Sequence, residues 1–213
     1  MPRTASPDVR RMLIERAAGL LSQRRPVTLR SLVEGTGAST MAVYTHFDGM
    51  PGLWRAVRAE GFERLGRRIA AVRPGRDPVE HLASLGVAYV EHALREPDLY
   101  RVMFDAAFDL PEPDAAAATF EPLVVATQQA QASGRFDAEP SALDIAFRYW
   151  ASGHGVTSLA VTGVLAPAEL RRHAPQLAVA VFVAAGDDPE QAQRSVTAAW
   201  HGVDLGGAPP PSA

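Results

Sequence analysis

Between its prolines and glycines this sequence keeps a helical period almost from end to end, and that leaves little room for a sheet. Apolar residues at Val9, Leu13, Ala17, Leu20 and Leu21 recur at the three- and four-residue spacing that gathers side chains on one helix face. Ser6-Pro7 supplies a cap and a first-turn proline, so the spacing predicts a first helix ending near Arg24-Arg25-Pro26. Thr28 then caps a short second helix over 29–34, with Leu29, Leu32 and Val33 turned inward. Gly35 and Gly37 break it, one of them free to take the left-handed backbone of a tight helix-helix turn. A third helix is expected over 40–47, capped by Ser39, with Val43 and Phe47 apolar. Pro51 opens a fourth helix carrying Leu53, Val57, Phe62, Leu65 and Ile69. Further helical segments fall over 78–95, 97–107, 115–133, 141–165, 167–172, 174–185 and 189–203, several of them opening on a proline. No run alternates with a period of two, so the fold class is all-α. The expected architecture is an N-terminal three-to-four-helix domain followed by a C-terminal helical bundle.

Pro74-Gly75-Arg76-Asp77-Pro78 is the clearest linker, and the charge reverses there. Residues 1–76 hold fourteen arginines against six acids, a net +8; residues 77–213 hold seven against eighteen, a net −11. The choice of arginine over lysine fits an Ala-rich base composition, but its segregation does not follow from composition. A basic module suits a polyanion, because each phosphate it neutralises releases counterions, while an acidic one is repelled. The expected domains are therefore 1–76, facing DNA, and 77–204, facing something else, with 205–213 a disordered tail.

Other classes are excluded more simply. The chain has no cysteine, its first residues lack a secretory apolar core, and its longest apolar stretches fall short of the roughly 20 residues that span a bilayer, so a cytoplasmic protein with no membrane partner is expected. Its six histidines show no HxxxH spacing, so neither a metal nor another cofactor is expected. No phosphate-binding glycine loop and no GxSxG elbow occurs, which argues against an enzyme.

Two short helices joined by a glycine-containing turn, in a domain of charge +8, are what a helix-turn-helix needs to enter the major groove. Helix pairs of this length also occur in ordinary bundles, and an arginine-rich adaptor that never reads DNA is the alternative. The third helix favours the reader: Thr40, Met41, Tyr44, Thr45 and His46 are left to face outward. Residues 28–53, TLRSLVEGTGASTMAVYTHFDGMPGL, resemble the tetracycline-repressor (TetR) family, whose members carry a GxS turn, a recognition helix ending in YxHF and an apolar fourth helix. Gly37-Ala38-Ser39, Tyr44, His46, Phe47 and Leu53 match in order and spacing. The resemblance implies that Thr28, Ser39, Thr40, Tyr44 and His46 touch DNA, that Met41, Ala42 and Thr45 are exposed for base readout, and that Phe47 packs in the core. The family's lysine before the fourth helix is Met50 here, so Arg10, Arg11, Arg30 or Arg55 must supply that charge, and Arg30 is taken as a phosphate contact.

The resemblance also implies a C-terminal module that binds an inducing ligand and forms a homodimer. Tyr89, Tyr100, Met103, Phe104, Phe108, Phe120, Leu123, Phe147, Trp150 and His154 are materials for a cavity that takes a small apolar or amphipathic effector; any one of them also suits plain core. The stretches 97–105 and 149–165 resemble a subgroup with a Trp and a His-Gly on one long helix. Trp150 and His154 share a helix face, and Gly153 and Gly155 thin the helix beside them, for a ligand or a neighbouring helix. His154 is a ligand partner or a satisfied core histidine. For the dimer, Val156, Leu159, Ala160, Gly163 and Val164 are expected to meet Val196, Ala199, Trp200 and Val203 across a two-fold axis. The implied function is a ligand-relieved repressor that binds a palindromic operator in double-stranded DNA.

Overall fold

The computed structural model describes residues 6–104 and 113–205, the side chains of 113–116 excepted. Among the described residues every regular element is a helix: α1 (Pro7–Ser22), α2 (Leu29–Val33), α3 (Thr40–Phe47), α4 (Met50–Ala71), α5 (Pro78–Arg95), α6 (Pro97–Phe104), α7 (Pro113–Ala132), α8 (Ala142–Val161), α9 (Pro167–Ala184) and α10 (Pro189–Trp200). The all-α reading holds. None of these helices is long and apolar enough to cross a membrane.

The start signals act unevenly. Thr28 closes a capping box: its Oγ1 accepts the Ser31 N–H at 3.1 Å while the Thr28 N–H donates to Ser31 Oγ at 2.9 Å. Ser6 and Ser39 hold the extended backbone of a cap, but their side chains make no capping bond. Both Gly35 and Gly37 take positive φ, so the α2–α3 turn uses two left-handed residues rather than one. At the next corner a Cβ on Gly52 would stand 1.7 Å from the Phe47 carbonyl oxygen, so only glycine lets α4 begin that close to the end of α3.

One break expected from proline is absent. The segments 167–172 and 174–185 form a single helix that runs through Pro175. Leu170, Ala174, Ala178 and Phe182, spaced four apart, are buried on one line across the proline. Burial of that continuous stripe offsets the one backbone hydrogen bond that proline forfeits.

By compactness the chain divides into two units that are not consecutive halves: 1–64 with 96–116, and 65–95 with 117–213. The first unit thus includes α6, which lies beyond the linker. Its Leu99, Tyr100, Val102 and Met103 form an apolar face, and α6 packs on α1. Leu99 and Val102 share a core with Leu13, Ile14, Leu32, Val43, Phe47, Leu53 and Val57. Polar contacts reinforce this packing: Ser22 Oγ donates to Asp98 Oδ1 at 2.5 Å, and Arg64 reaches Glu60 at 2.8 Å, Glu96 at 3.0 Å and Glu15 at 3.2 Å. Burial works against the charge on Arg64, and its carboxylate neighbours outweigh it, raising its pKa above the ordinary arginine value.

In the second unit α5 packs on α8 and α10, α8 on α9, and α9 on α10. Tyr149 sets its ring 5.0 Å from Phe182, and its hydroxyl occupies the space where a Cβ on Gly86 would stand. Asp77 is no free linker residue. Arg135 binds Asp77 at 2.9 Å and grips both oxygens of Asp187, at 2.7 and 2.8 Å, while Ser195 Oγ donates to Asp77 at 2.5 Å. Leu205, placed in the tail by sequence, is buried beside Val90, Val156, Leu170 and Ala174; 206–213 lie outside the described residues.

Candidate functional site

On the first unit, the α2–α3 pair presents the surface that the motif implies. Val43 and Phe47 bury one side of α3, which leaves Thr40, Met41, Tyr44 and Thr45 exposed on the other, with Ala42 and His46 partly covered. Met41 is 65% and Tyr44 51% exposed. Thr45 has its hydroxyl tied back to the Met41 carbonyl at 3.0 Å, so it offers its methyl and an acceptor lone pair outward. Thr28, Arg30 and Ser39 are exposed at the helix starts.

The four arginines named as substitutes for the missing lysine separate into two kinds. Arg10 lies 3.7 Å from Glu60 and over the Phe47 ring, and Arg11 pairs with Asp8 at 3.0 Å. Arg30 and Arg55 are exposed, and among the described residues no carboxylate pairs with them.

On the second unit, five of the residues named for a ligand come together. Phe120 meets Trp150 edge to face at 6.2 Å, Phe147 lies 5.8 Å from Trp150, and Trp150 stacks on His154 at 5.4 Å. Tyr89 Oη is 2.7 Å from His154 Nδ1. Ser158 Oγ lies 3.3 Å from Nε2, a partner missed in the sequence although it sits one helical turn beyond His154. Leu123 is buried on α7. Tyr100, Met103 and Phe104 stand on α6 in the first unit, where Phe104 packs on Phe62 at 5.8 Å. Phe108 lies outside the described residues. No group of three or more His, Asp and Glu gathers as a metal site among the described residues.

Burial pushes the His154 pKa down from its ordinary value, and it does the same to His81. A histidine whose folded pKa is depressed contributes stability that is complete above the unfolded value, about 6.5, and is lost as the pH falls toward the folded value. Urea midpoints are therefore expected to fall between about pH 7.5 and about pH 5.5, and to fall less in His154→Gln, with His81 supplying the remainder. An unchanged midpoint over that range would show that neither ring is held neutral.

The residues named for a dimer scatter. Val196 is fully buried on α10. Val156, Ala160, Trp200 and Val203 pack within the chain's own cluster beside Leu170 and Leu205, and Ala199 is half-buried. Leu159, Gly163 and Val164 are exposed. A groove of about 390 Å³ runs along Val156, Leu159 and Leu165 on one side and His173, Gln176 and Leu177 on the other.

A helix-turn-helix on a basic N-terminal segment, joined in sequence to a helical unit with an aromatic core, is the arrangement of a DNA-binding regulator. Residues 82–178 match the family model for the tetracyclin repressor-like C-terminal domain, a span that contains both the 97–105 and 149–165 stretches. Solved structures share the fold. A bacterial regulatory protein in the TetR family from Rhodococcus RHA1 is 18% identical with a TM-score of 0.73, over 86% of this chain and 100% of that one. A protein with unknown function from Rhodococcus sp. RHA1 is 26% identical with a TM-score of 0.64, over 91% and 98%. RolR in complex with resorcinol is 20% identical with a TM-score of 0.59, over 89% and 93%. No curated protein matches in sequence. Residues 82–178 thus match the TetR C-terminal domain family, and the chain shares the fold of solved TetR-family regulators.

Proposed function

We propose that this protein is a repressor that binds a palindromic operator as a homodimer and is released by a small effector. The exposed row Thr40, Met41, Tyr44 and Thr45 on α3, in a segment of charge +8, is the observation that carries the DNA reading. A single recognition helix reads too few bases for specificity; two of them, about 34 Å apart, read two half-sites together. The face expected to pair two copies is that of α8 and α9, where Ala151, Gly155 and Leu159 stand exposed with Leu177, Ala180 and Ala184. Small residues there let a partner helix approach closely. Of the α10 residues named for this role, Val196 is fully buried within the chain, while Ala199 and Trp200 remain partly exposed.

The aromatic group around Trp150 and His154 supports an effector site in the second unit, and the resorcinol bound by RolR supports a small aromatic effector. The chain itself links the two roles: α5 belongs to the second unit and ends at Arg95, and α6 begins at Pro97 in the first. Glu96, between them, is held by Arg64. An effector that prefers one placement of α5 therefore biases α6 and the helices it packs on, by no more than its differential affinity for the two states.

Selection of bound duplexes from a random pool tests the reading. An inverted repeat occupied by two chains, with affinity falling steeply with salt, is expected; an adaptor would show neither. In Arg30→Ala the salt slope is expected to become shallower by about one unit, with all sequences weakened alike. A changed sequence preference at unchanged slope would remove Arg30 from the phosphate contacts.

A further inference from the structure

The buried face of α8 has a gap in its middle. Ala146, Trp150, Gly153 and Thr157 fall on one line of the helix, spaced four, three and four residues apart. Ala146 and Thr157, at the ends of that line, are fully buried, yet a Cβ built on Gly153 would meet no atom within 4 Å. Gly52 and Gly86 make the contrast: a Cβ there would stand 1.7 Å and 2.0 Å from the nearest atom, so close packing accounts for them. Among the described residues no contact accounts for Gly153, and glycine is a poor residue for the interior of a helix.

A second observation falls at the same place. Thr157 Oγ1 is buried and makes no hydrogen bond within the chain, a state that native interiors seldom leave unmet. Helical side chains lean toward the N-terminus, so Thr157 lies over the turn that carries Gly153. Trp150, one turn before Gly153, offers a ring, and His154, the next residue, is joined to the hydroxyls of Tyr89 and Ser158. Burial keeps the imidazole toward its neutral form.

We infer that the space at Gly153 is a binding site for a small uncharged molecule with a hydroxyl or carbonyl oxygen, which pairs with Thr157 Oγ1 while its apolar body packs on Trp150. The inference rests on the second unit being the effector-binding unit and names the class of effector. An ionised ligand is disfavoured because the burial that holds His154 toward its neutral form also penalises a ligand's charge.

The full chain is tested with phenol, toluene and benzoate, rings of similar size that carry a hydroxyl, no polar group and a charge. Phenol is expected to raise the melting temperature with concentration, toluene less so, and benzoate not at all. Gly153→Val is expected to weaken phenol by at least about tenfold. Thr157→Val, nearly isosteric, is expected to bring phenol down to the level of toluene and leave toluene unchanged. Without ligand, Gly153→Ala raises the melting temperature, because the methyl meets nothing and the helix gains propensity. Thr157→Val leaves it unchanged or higher, because it removes a buried unpaired hydroxyl.

Four results overturn the inference: no phenol binding by the wild-type protein at millimolar concentration, undiminished binding by Gly153→Val, benzoate binding as tightly as phenol, or a lower melting temperature for Gly153→Ala. The wider reading fails differently. If phenol binds at Gly153 but leaves affinity for the selected duplex unchanged, the site stands and its regulatory role is lost.

Discussion

Arg135→Ala is expected to destabilise the protein by about 3–5 kcal/mol, read from urea or thermal unfolding. The Asp187 side chain is 1% exposed, and Arg135 is the cation that grips both of its oxygens. Removing the guanidinium strands that carboxylate away from water and strips Asp77 of its ion pair at the same time. For Asp77 burial works to raise the pKa, and the Ser195 hydroxyl, the Val79 N–H and Arg135 together hold it below the ordinary value. A carboxylate of that kind stabilises the fold above its unfolded pKa, about 3.8, and the contribution disappears as the pH falls through the folded value. Exchanging the whole group for apolar residues of similar volume is expected to recover much of the loss, because the penalty comes from the unpaired charge. A loss under about 1 kcal/mol in Arg135→Ala would mean that water reaches the pair and screens it.

Tyr44→Ala is expected to cost operator affinity on a similar scale and to leave stability almost untouched. A hydrogen bond from a neutral hydroxyl to a charged phosphate oxygen contributes about 1.5–3 kcal/mol. A dimer loses it twice, so about 3–6 kcal/mol, or two to four orders of magnitude in affinity, is expected for the selected duplex. Tyr44 is half exposed and belongs to no core cluster, so unfolding should move by no more than about 0.5 kcal/mol. Tyr44→Phe separates hydroxyl from ring: loss comparable to alanine assigns the contact to the oxygen. Operator affinity within about threefold of wild type for Tyr44→Ala would take this side chain out of the interface.

The helix-turn-helix was legible because its signals are local. Thr28 caps the helix it precedes, Gly35 and Gly37 turn the chain where they stand, and Val43 and Phe47 mark which side of α3 is buried. Each is a statement about neighbours in sequence, and each survives in the structure. The aromatic group of the second unit was half legible: spacing put Trp150 and His154 on one face, but the Tyr89 partner of His154 and the open hydroxyl of Thr157 needed neighbouring helices to be in place. The dimer residues meet the same limit. An apolar stripe such as Val196 to Val203 shows that a face is buried, not whether a second copy or the same chain buries it; within this chain Val196 is fully covered and Ala199, Trp200 and Val203 only in part.

What the sequence by itself determined is the helical period, the helix-turn-helix from Thr28 to Phe47 and the reversal of charge near Asp77, all set by residue type and spacing along the chain. Only the tertiary structure decided that α6 joins the first unit, that α9 runs unbroken through Pro175, and that the buried face of α8 keeps a gap at Gly153. Those outcomes depend on which apolar faces meet. The hydrophobic effect that buries such faces is non-directional, so periodicity cannot name the partner.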